Sequence, residues 1–185
     1  MKWKILNILV VLLPIILFSQ KNSELIDYNN YELFIPSSTD NIINHHNHFS
    51  YSFNKEHKLS EWTIYFSTKE RLTGERFPRK SGFTDDPNLK FDAATKSDYY
   101  KSGYDRGHLV PPADMAFSPL AMKECFYLTN INPQTPSFNR GLSLKIERLI
   151  RDWVIEKDSL VIITGSVFKD TKNFTKEEAF YTIGS

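Results

Sequence analysis

Between residues 142 and 165 the chain changes its hydrophobic period, and that change constrains the fold more than any other feature. Leu142, Ile146, Leu149, Ile150 and Trp153 fall at offsets 0, 4, 7, 8 and 11, one apolar arc at helical period. The spacing predicts a helix from Gly141 to Glu156. Leu160-Val161-Ile162-Ile163-Thr164 follows as a buried strand ending at Gly165. Asn139, Ser143, Glu147 and Arg151 step by four along a stripe beside the arc. Upstream, His48 to Phe53 alternates aromatic with polar residues, and Trp62 to Ser67 is rich in aromatic and β-branched types. Both read as strands, with Asn54 to Ser60 as the hairpin loop. Ser118 before Pro119 marks the N-cap and first residue of a short helix to Glu124. Phe126 to Leu128 is expected to be a further strand, and Gly74 to Asp98 reads as a long loop.

The ends bound the organisation. Lys2 and Lys4 precede an apolar run from Ile5 to Phe18, and Ser19 offers a small residue for cleavage. That pattern predicts a secretory signal over residues 1–19, too short for a membrane span. The expected product is secreted or periplasmic, with no stable membrane partner after cleavage. Residues 20–45 read as a polar lead-in, with a turn at Ile35-Pro36-Ser37-Ser38, and 46–185 as one domain. The formal charge of +1 does not advertise a polyanion ligand, and loss of two lysines would remove it. Any such affinity must come from a local patch, and Arg106, Arg140, Lys145, Arg148 and Arg151 are its members. Cys125 is the single cysteine, so no intramolecular disulfide exists; its apolar strand-like surroundings predict a buried structural thiol. His45, His46, His48 and His57 lack cysteine or carboxylate partners in sequence and are expected to face solvent. Asn173-Phe174-Thr175 is a glycosylation sequon where the producing cell glycosylates.

Three segments carry chemistry: Asp105-Arg106-Gly107-His108, Asn130-Ile131-Asn132-Pro133-Gln134, and Asn139-Arg140-Gly141. A phosphodiester repels nucleophiles and has a poor leaving group. Its hydrolysis needs an activated water, a cation over the phosphate oxygens and help for the departing oxygen. His108 is the candidate base, since a neutral imidazole can accept the proton of water. Gly107 before it permits a tight backbone approach. Asn139 offers an oxygen to a hard cation that keeps several waters; the plainer alternative makes it the N-cap of the following helix. Glu147 can support a metal's water shell or simply pair with Arg151 one turn on.

Taken together these blocks resemble the sugar-non-specific DNA/RNA endonuclease family, the ββα-metal or His-Me finger nucleases. The similarity runs from about Tyr51 to Gly165, including Glu61-Trp62 and the Phe83 to Pro87 loop. The resemblance implies that His108 activates water, Asn139 binds the metal and Glu147 supports its hydration shell. Arg106 and Arg151 would steady phosphate and leaving-group charge, and Asn130 would position His108 or the water. Gln134 would have a supporting role. Arg140 is assigned to substrate binding, as is an arginine upstream of the Asp-Pro segment; Arg79 or Arg76 matches it, and Arg79 is taken. Ser143 stands where many members carry a bulky aromatic, and the family's C-terminal strand and helix are expected to be missing. The expected fold is α+β, an antiparallel sheet flanked by helices, with the ββα-metal unit at roughly residues 105–155. The expected activity is Mg²⁺-dependent cleavage of DNA and RNA, with Mn²⁺ as an alternative cofactor. The runner-up is a catalytically inactive nucleic-acid-binding module of the same fold. No oligomeric state is assigned.

Overall fold

The computed structural model of the chain describes residues 8–13, 34–79 and 82–168. Its framework is a five-stranded antiparallel sheet. In chain order the strands are β1 (Ile8–Leu13), β2 (Ile43–His45), β3 (Ser50–Asn54), β4 (Leu59–Thr68) and, much later, β7 (Ser159–Ser166). Their spatial order is β1-β7-β4-β3-β2. A separate two-stranded hairpin is made by β5 (Asp105–His108) and β6 (Ile131–Gln134). The described residues also form three α-helices, α1 (Lys69–Thr73), α2 (Pro119–Glu124) and α3 (Leu144–Lys157). The architecture is the expected α+β one. The remainder of the lead-in, the sequon and the chain beyond residue 168 lie outside the described residues.

Period-2 alternation builds a core on each face of the sheet. Phe49, Tyr51, Phe53, Tyr65, Leu160 and Ile162 point to one side, where α2 and α3 cover them with Met122, Ile150 and Val154. Trp62, Ile64, Phe66, Val161 and Ile163 point to the other, beneath Phe34, Ile35 and Ile43. Phe34, Ile35 and Ile43 are partly buried there, so the end of the lead-in packs against the sheet. Their attachment is also polar. Glu61 occupies the register shift opposite Ser52/Phe53 and accepts hydrogen bonds from Ser52 Oγ (2.7 Å), Thr39 N (3.1 Å) and Asn54 Nδ2 (3.3 Å). Trp62 Nε1 donates to the Ser37 carbonyl at 2.9 Å.

Several elements depart from expectation. The apolar run assigned to a signal contributes β1, which pairs antiparallel with β7 from Ile8↔Ser166 to Leu13↔Val161. A short apolar run suits an edge strand as well as a signal core, and composition does not separate the two. Phe126 to Leu128 is not a strand. Tyr127 makes a single bridge to Thr84, and Leu128–Asn130 is a 3₁₀ turn leading into β6. Cys125 is buried as expected but caps α2 instead of lying in a strand; burial pushes its thiol up to about 12. The Ser118 cap is present, accepting from Leu120 N and Ala121 N. Helix α3 is rotated from its predicted arc: Ile150 and Val154 are buried, whereas Leu142 and Leu149 are 42% and 45% exposed.

Gly165 sits opposite Trp62, and a Cβ there would lie 2.7 Å from the Glu61 carbonyl oxygen. Overpacking of this kind costs roughly 1–3 kcal/mol. Gly165→Ala is therefore expected to lower the thermal midpoint by several degrees in a calorimetric scan. An unchanged midpoint would mean that β4 and β7 are not in this register.

Candidate active site

The β5–β6 hairpin sets the site's geometry. Its register pairs Asp105↔Gln134, Arg106↔Pro133, Gly107↔Asn132 and His108↔Ile131. Alternation puts Arg106 and His108 on one face, Asp105 and Gly107 on the other. Gly107 is required by a close approach, because a Cβ there would collide with the Gln134 side chain. Directly after His108 the chain is pinned by Asn130. Its Oδ1 accepts from Val110 N at 2.9 Å, and its Nδ2 donates to the carbonyls of Val110 (3.0 Å) and Cys125 (2.8 Å). Asn130 is completely buried. It holds backbone two residues past His108, with its amide oxygen and nitrogen both bonded to main-chain groups.

Asn139 lies in a π-helical turn, Phe138–Ser143, that runs straight into α3. It is therefore inside the helix and not its N-cap. Its Nδ2 donates to Asp105 Oδ2 at 3.0 Å. Arg140 grips the same carboxylate with two bonds, Nε to Oδ2 at 2.8 Å and Nη2 to Oδ1 at 2.7 Å. The hydrogen bond from Arg140, reinforced by that from Asn139, holds the Asp105 carboxyl below its ordinary range. With the amide nitrogen anchored, the amide oxygen is turned away from Asp105. Asn139, Asp105 and Arg106 line an open cleft of about 300 Å³ walled by Phe83, Tyr99 and Tyr104.

His108 borders the adjoining cavity with Tyr65, Ser143 and Glu147. Its ring contacts Phe83 and Phe126 at centroid distances of 5.5 and 5.1 Å, and Phe83 also lines the Asn139 cleft. The Nε2 atom is buried with no hydrogen-bond partner. Burial, with a smaller push from the Arg79 charge, drives the imidazole pKa from 6.5 down to about 3. The ring is thus a neutral acceptor at physiological pH. Glu147 is raised above its ordinary value, by burial first, with Arg151 opposing and Asp114 assisting. Its Oε1 accepts from Ser143 Oγ at 3.4 Å, and Arg151 Nη1 stands 3.9 Å from Oε2. The expected Glu147–Arg151 pair is present but long, because Arg151 donates to the buried Asp114 at 2.9 Å.

Of the two upstream arginines, Arg79 is the one whose charge reaches His108; its guanidinium lies 5.3 Å from the Phe126 ring centroid. Arg76 is spent on the carbonyls of Arg71, Leu72 and Ala113. Arg106 is exposed, 5.1 Å from the Phe83 ring centroid. Two histidines expected in solvent are not there. His46 Nε2 donates to the buried Asp86 carboxylate at 2.8 Å with its side chain 3% exposed, and His48 pairs with Glu124 at 2.7 Å. Asp86 also accepts from Tyr51 (2.7 Å) and Thr129 (2.6 Å). Burial alone would raise its pKa, but these hydrogen bonds hold it at about 2. Their carboxylate partners are 40 and 76 residues distant, beyond any local reading. Asp114 was missed as well; its only sequence signal is the turn-forming Pro111-Pro112 before it.

Residues 28–184 match the DNA/RNA non-specific endonuclease family. The chain belongs to that family. The nuclease EXOG of Danio rerio is 31% identical over 72% of this chain and 40% of its own length. Endonuclease G of Homo sapiens is 32% identical over 62% and 41%. Nuclease C1 of Cunninghamella echinulata is 34% identical over 65% and 50%. The chain thus spans half or less of the length of these relatives. A chain in a crystal structure of the EndoG/EndoGI complex superposes with a TM-score of 0.62 at 26% identity, covering 66% of this chain and 52% of that one. One expectation is overturned. The EXOG and endonuclease G relatives are named as mitochondrial proteins, and part of the apolar run is a paired strand, so the secreted or periplasmic assignment is withdrawn. Among the described residues no helix is long and apolar enough to cross a membrane.

The His108 environment fixes a pH dependence. Its folded pKa, about 3, lies below the ordinary 6.5. Between those values the unfolded chain binds the extra proton, so this contribution to stability is full above pH 6.5 and is lost as pH falls towards 3. His108→Gln is expected to flatten the decline of thermal midpoint across that window. A wild-type slope in the variant would show that the imidazole is not held neutral by burial.

Proposed function

We propose that this chain is a metal-dependent endonuclease that hydrolyses phosphodiester bonds of DNA and RNA with little sequence specificity. The observation that carries the reading is His108: a buried, unpaired Nε2, kept neutral by its surroundings, on a ring packed against Phe83, which lines the cleft together with Arg106 and Asn139. In this reading His108 Nε2 takes the proton of the attacking water. Arg106 and Arg79 hold the phosphate against its own repulsion of the nucleophile, and Arg151 meets the charge that develops on the leaving oxygen. Arg140 helps to hold the substrate from the cleft rim, although its pairing with Asp105 makes it first a brace for Asn139.

Among the described residues no three His, Cys, Asp or Glu side chains cluster as a metal cage. The carboxamide oxygen of Asn139 and the carboxylate of Glu147 are hard oxygen donors, which suit a small cation that keeps most of its water. Asn139 Oδ1 would hold it, and Glu147 would accept hydrogen bonds from its water. Mg²⁺ suits this site best and Mn²⁺ is the closest substitute. When bound, the cation supplies charge neutralisation over the phosphate oxygens.

The test is nicking of supercoiled plasmid and degradation of RNA in Mg²⁺, Mn²⁺, Ca²⁺ and EDTA. Wild type is expected to cut both polymers in Mg²⁺ and neither in EDTA. His108→Ala is expected to lose roughly 10²–10⁴-fold, the usual contribution of a general base. Near-wild-type nicking by His108→Ala would refute the assignment. Salt-sensitive binding without any cleavage by wild type would favour the inert binding module instead.

A further inference from the structure

Asp114 is a buried carboxylate that the mechanism above does not use. It is 2% exposed, and both of its oxygens are occupied. Oδ1 accepts from Arg151 Nη1 on α3 at 2.9 Å, and Oδ2 accepts from the Tyr65 hydroxyl on β4 at 2.6 Å. Its backbone is fixed by a turn, with Asp114 N donating to the Pro111 carbonyl and Met115 N to that of Pro112. Phe77 N donates to the Ala116 carbonyl, and Arg76 to that of Ala113, so a second segment holds the same loop. Tyr65 and Glu147 both face the cavity that His108 borders. The network therefore runs from the sheet, through Asp114 and Arg151, to the proposed water-binding carboxylate.

We propose that Asp114 is a positioning residue for the hydrolysis, holding the Arg151 guanidinium off Glu147 and aimed at the reacting phosphate; this rests on the nuclease reading. The geometry is a competition between two carboxylates for one arginine. Glu147 precedes Arg151 by four residues, the spacing and order that favour an ion pair on a bare helix. The observed distances reverse that preference, 2.9 Å to Asp114 against 3.9 Å to Glu147. Asp114 wins because it is held rigidly and has already lost its water, whereas the Glu147 side chain is 23% exposed. Remove its charge and Arg151 folds onto Glu147. The proposed site then loses two groups: the arginine that meets developing charge and, from the cavity wall, the carboxylate that receives water.

The test is a double-mutant cycle on a fluorogenic oligonucleotide in Mg²⁺ buffer, using Asp114→Asn, Arg151→Lys and the double variant, with thermal midpoints measured alongside. Asp114→Asn keeps the volume and a hydrogen-bonding oxygen for Tyr65. It is expected to lower kcat at least about tenfold while KM moves less than about threefold, the signature of a contact made chiefly in the transition state. In the Arg151→Lys background the same change is expected to cost less than about twofold, because residues acting through one another are not additive. Losses that multiply across the cycle would overturn the proposal and leave the nuclease reading standing. If Asp114→Asn fails to fold, Tyr65→Phe gives the decision. It removes only the Oδ2 donor and is expected to lower kcat about threefold, again without effect in Arg151→Lys; multiplicative losses there overturn the proposal too. A wild-type chain that cuts nothing would sink both readings together.

Discussion

The orientation of α3 about its own axis is the constraint on which the candidate site depends. Hydrophobic burial alone would turn Leu142 and Leu149 inwards with Ile146 and Ile150. The structure instead leaves both leucines more than 40% exposed and turns Ser143, Glu147 and Arg151 towards the sheet. Exposing two leucines forgoes roughly 1–3 kcal/mol each. The offset is the ion pair and hydrogen bonds at Asp114, where a buried carboxylate would otherwise stand unpaired at several kcal/mol. A helix that buries Ile150 and Val154 but holds Glu147 and Arg151 half-buried while two leucines stay outside departs from the apolar pattern where the candidate site lies. The π-helical turn ahead of it belongs to the same device. It adds a residue to the turn at Asn139, letting that amide meet Asp105 while Glu147 still faces the cavity two turns later.

Charge in the site is organised by desolvation. His108 is forced neutral, Glu147 is held with a raised proton affinity, and Asp114 is raised by burial although Tyr65 and Arg151 pull it down. Across the hairpin the opposite holds: Asp105 is drawn below its ordinary range by Arg140. Burial around His108 and Glu147 thus sets a low-charge interior, suited to moving a proton, apart from the charged rim of Asp105, Arg140 and the exposed Arg106. Pushing titratable groups apart in this manner is characteristic of acid–base sites.

Much of the framework was legible because it follows local rules. The Ser118-Pro119 start of α2 needs only a hydroxyl and a missing N–H, and both sit in adjacent positions. The centres of β4 (Trp62 to Phe66) and β7 (Val161 to Thr164) are wholly aromatic or β-branched, so propensity and burial agree there. Strand β5 was not legible: Asp-Arg-Gly-His has little strand propensity, and its partner contains Pro133. It becomes a strand because the tether at Asn130 and the contact of Gly107 with Gln134 align the two segments, which no window of sequence reveals. The same limit explains the histidines. His46 and His48 look like solvated loop residues until chain closure brings Asp86 and Glu124 to them. The candidate-site residues, Asp105 among them, were recognisable from their motif, but the hold of Asp105 on Asn139 and of Asp114 on Arg151 is visible only in three dimensions.

The alternative of an inert nucleic-acid binder makes a different structural demand. Binding a polyanion needs exposed cations and tolerates a relaxed interior. Here the cost falls in the interior. His108 Nε2 is buried without a partner, and an unpaired buried polar atom costs about 1–3 kcal/mol. Glu147 is confined in the same cavity against its tendency to ionise. A fold with no chemistry to perform gains nothing from either, since replacing His108 with an apolar side chain would relieve the first and leave the exposed Arg106 and the Arg140 rim untouched. An unpaired imidazole nitrogen and a desolvated carboxylate around one small cavity therefore favour the hydrolytic reading over the binding one.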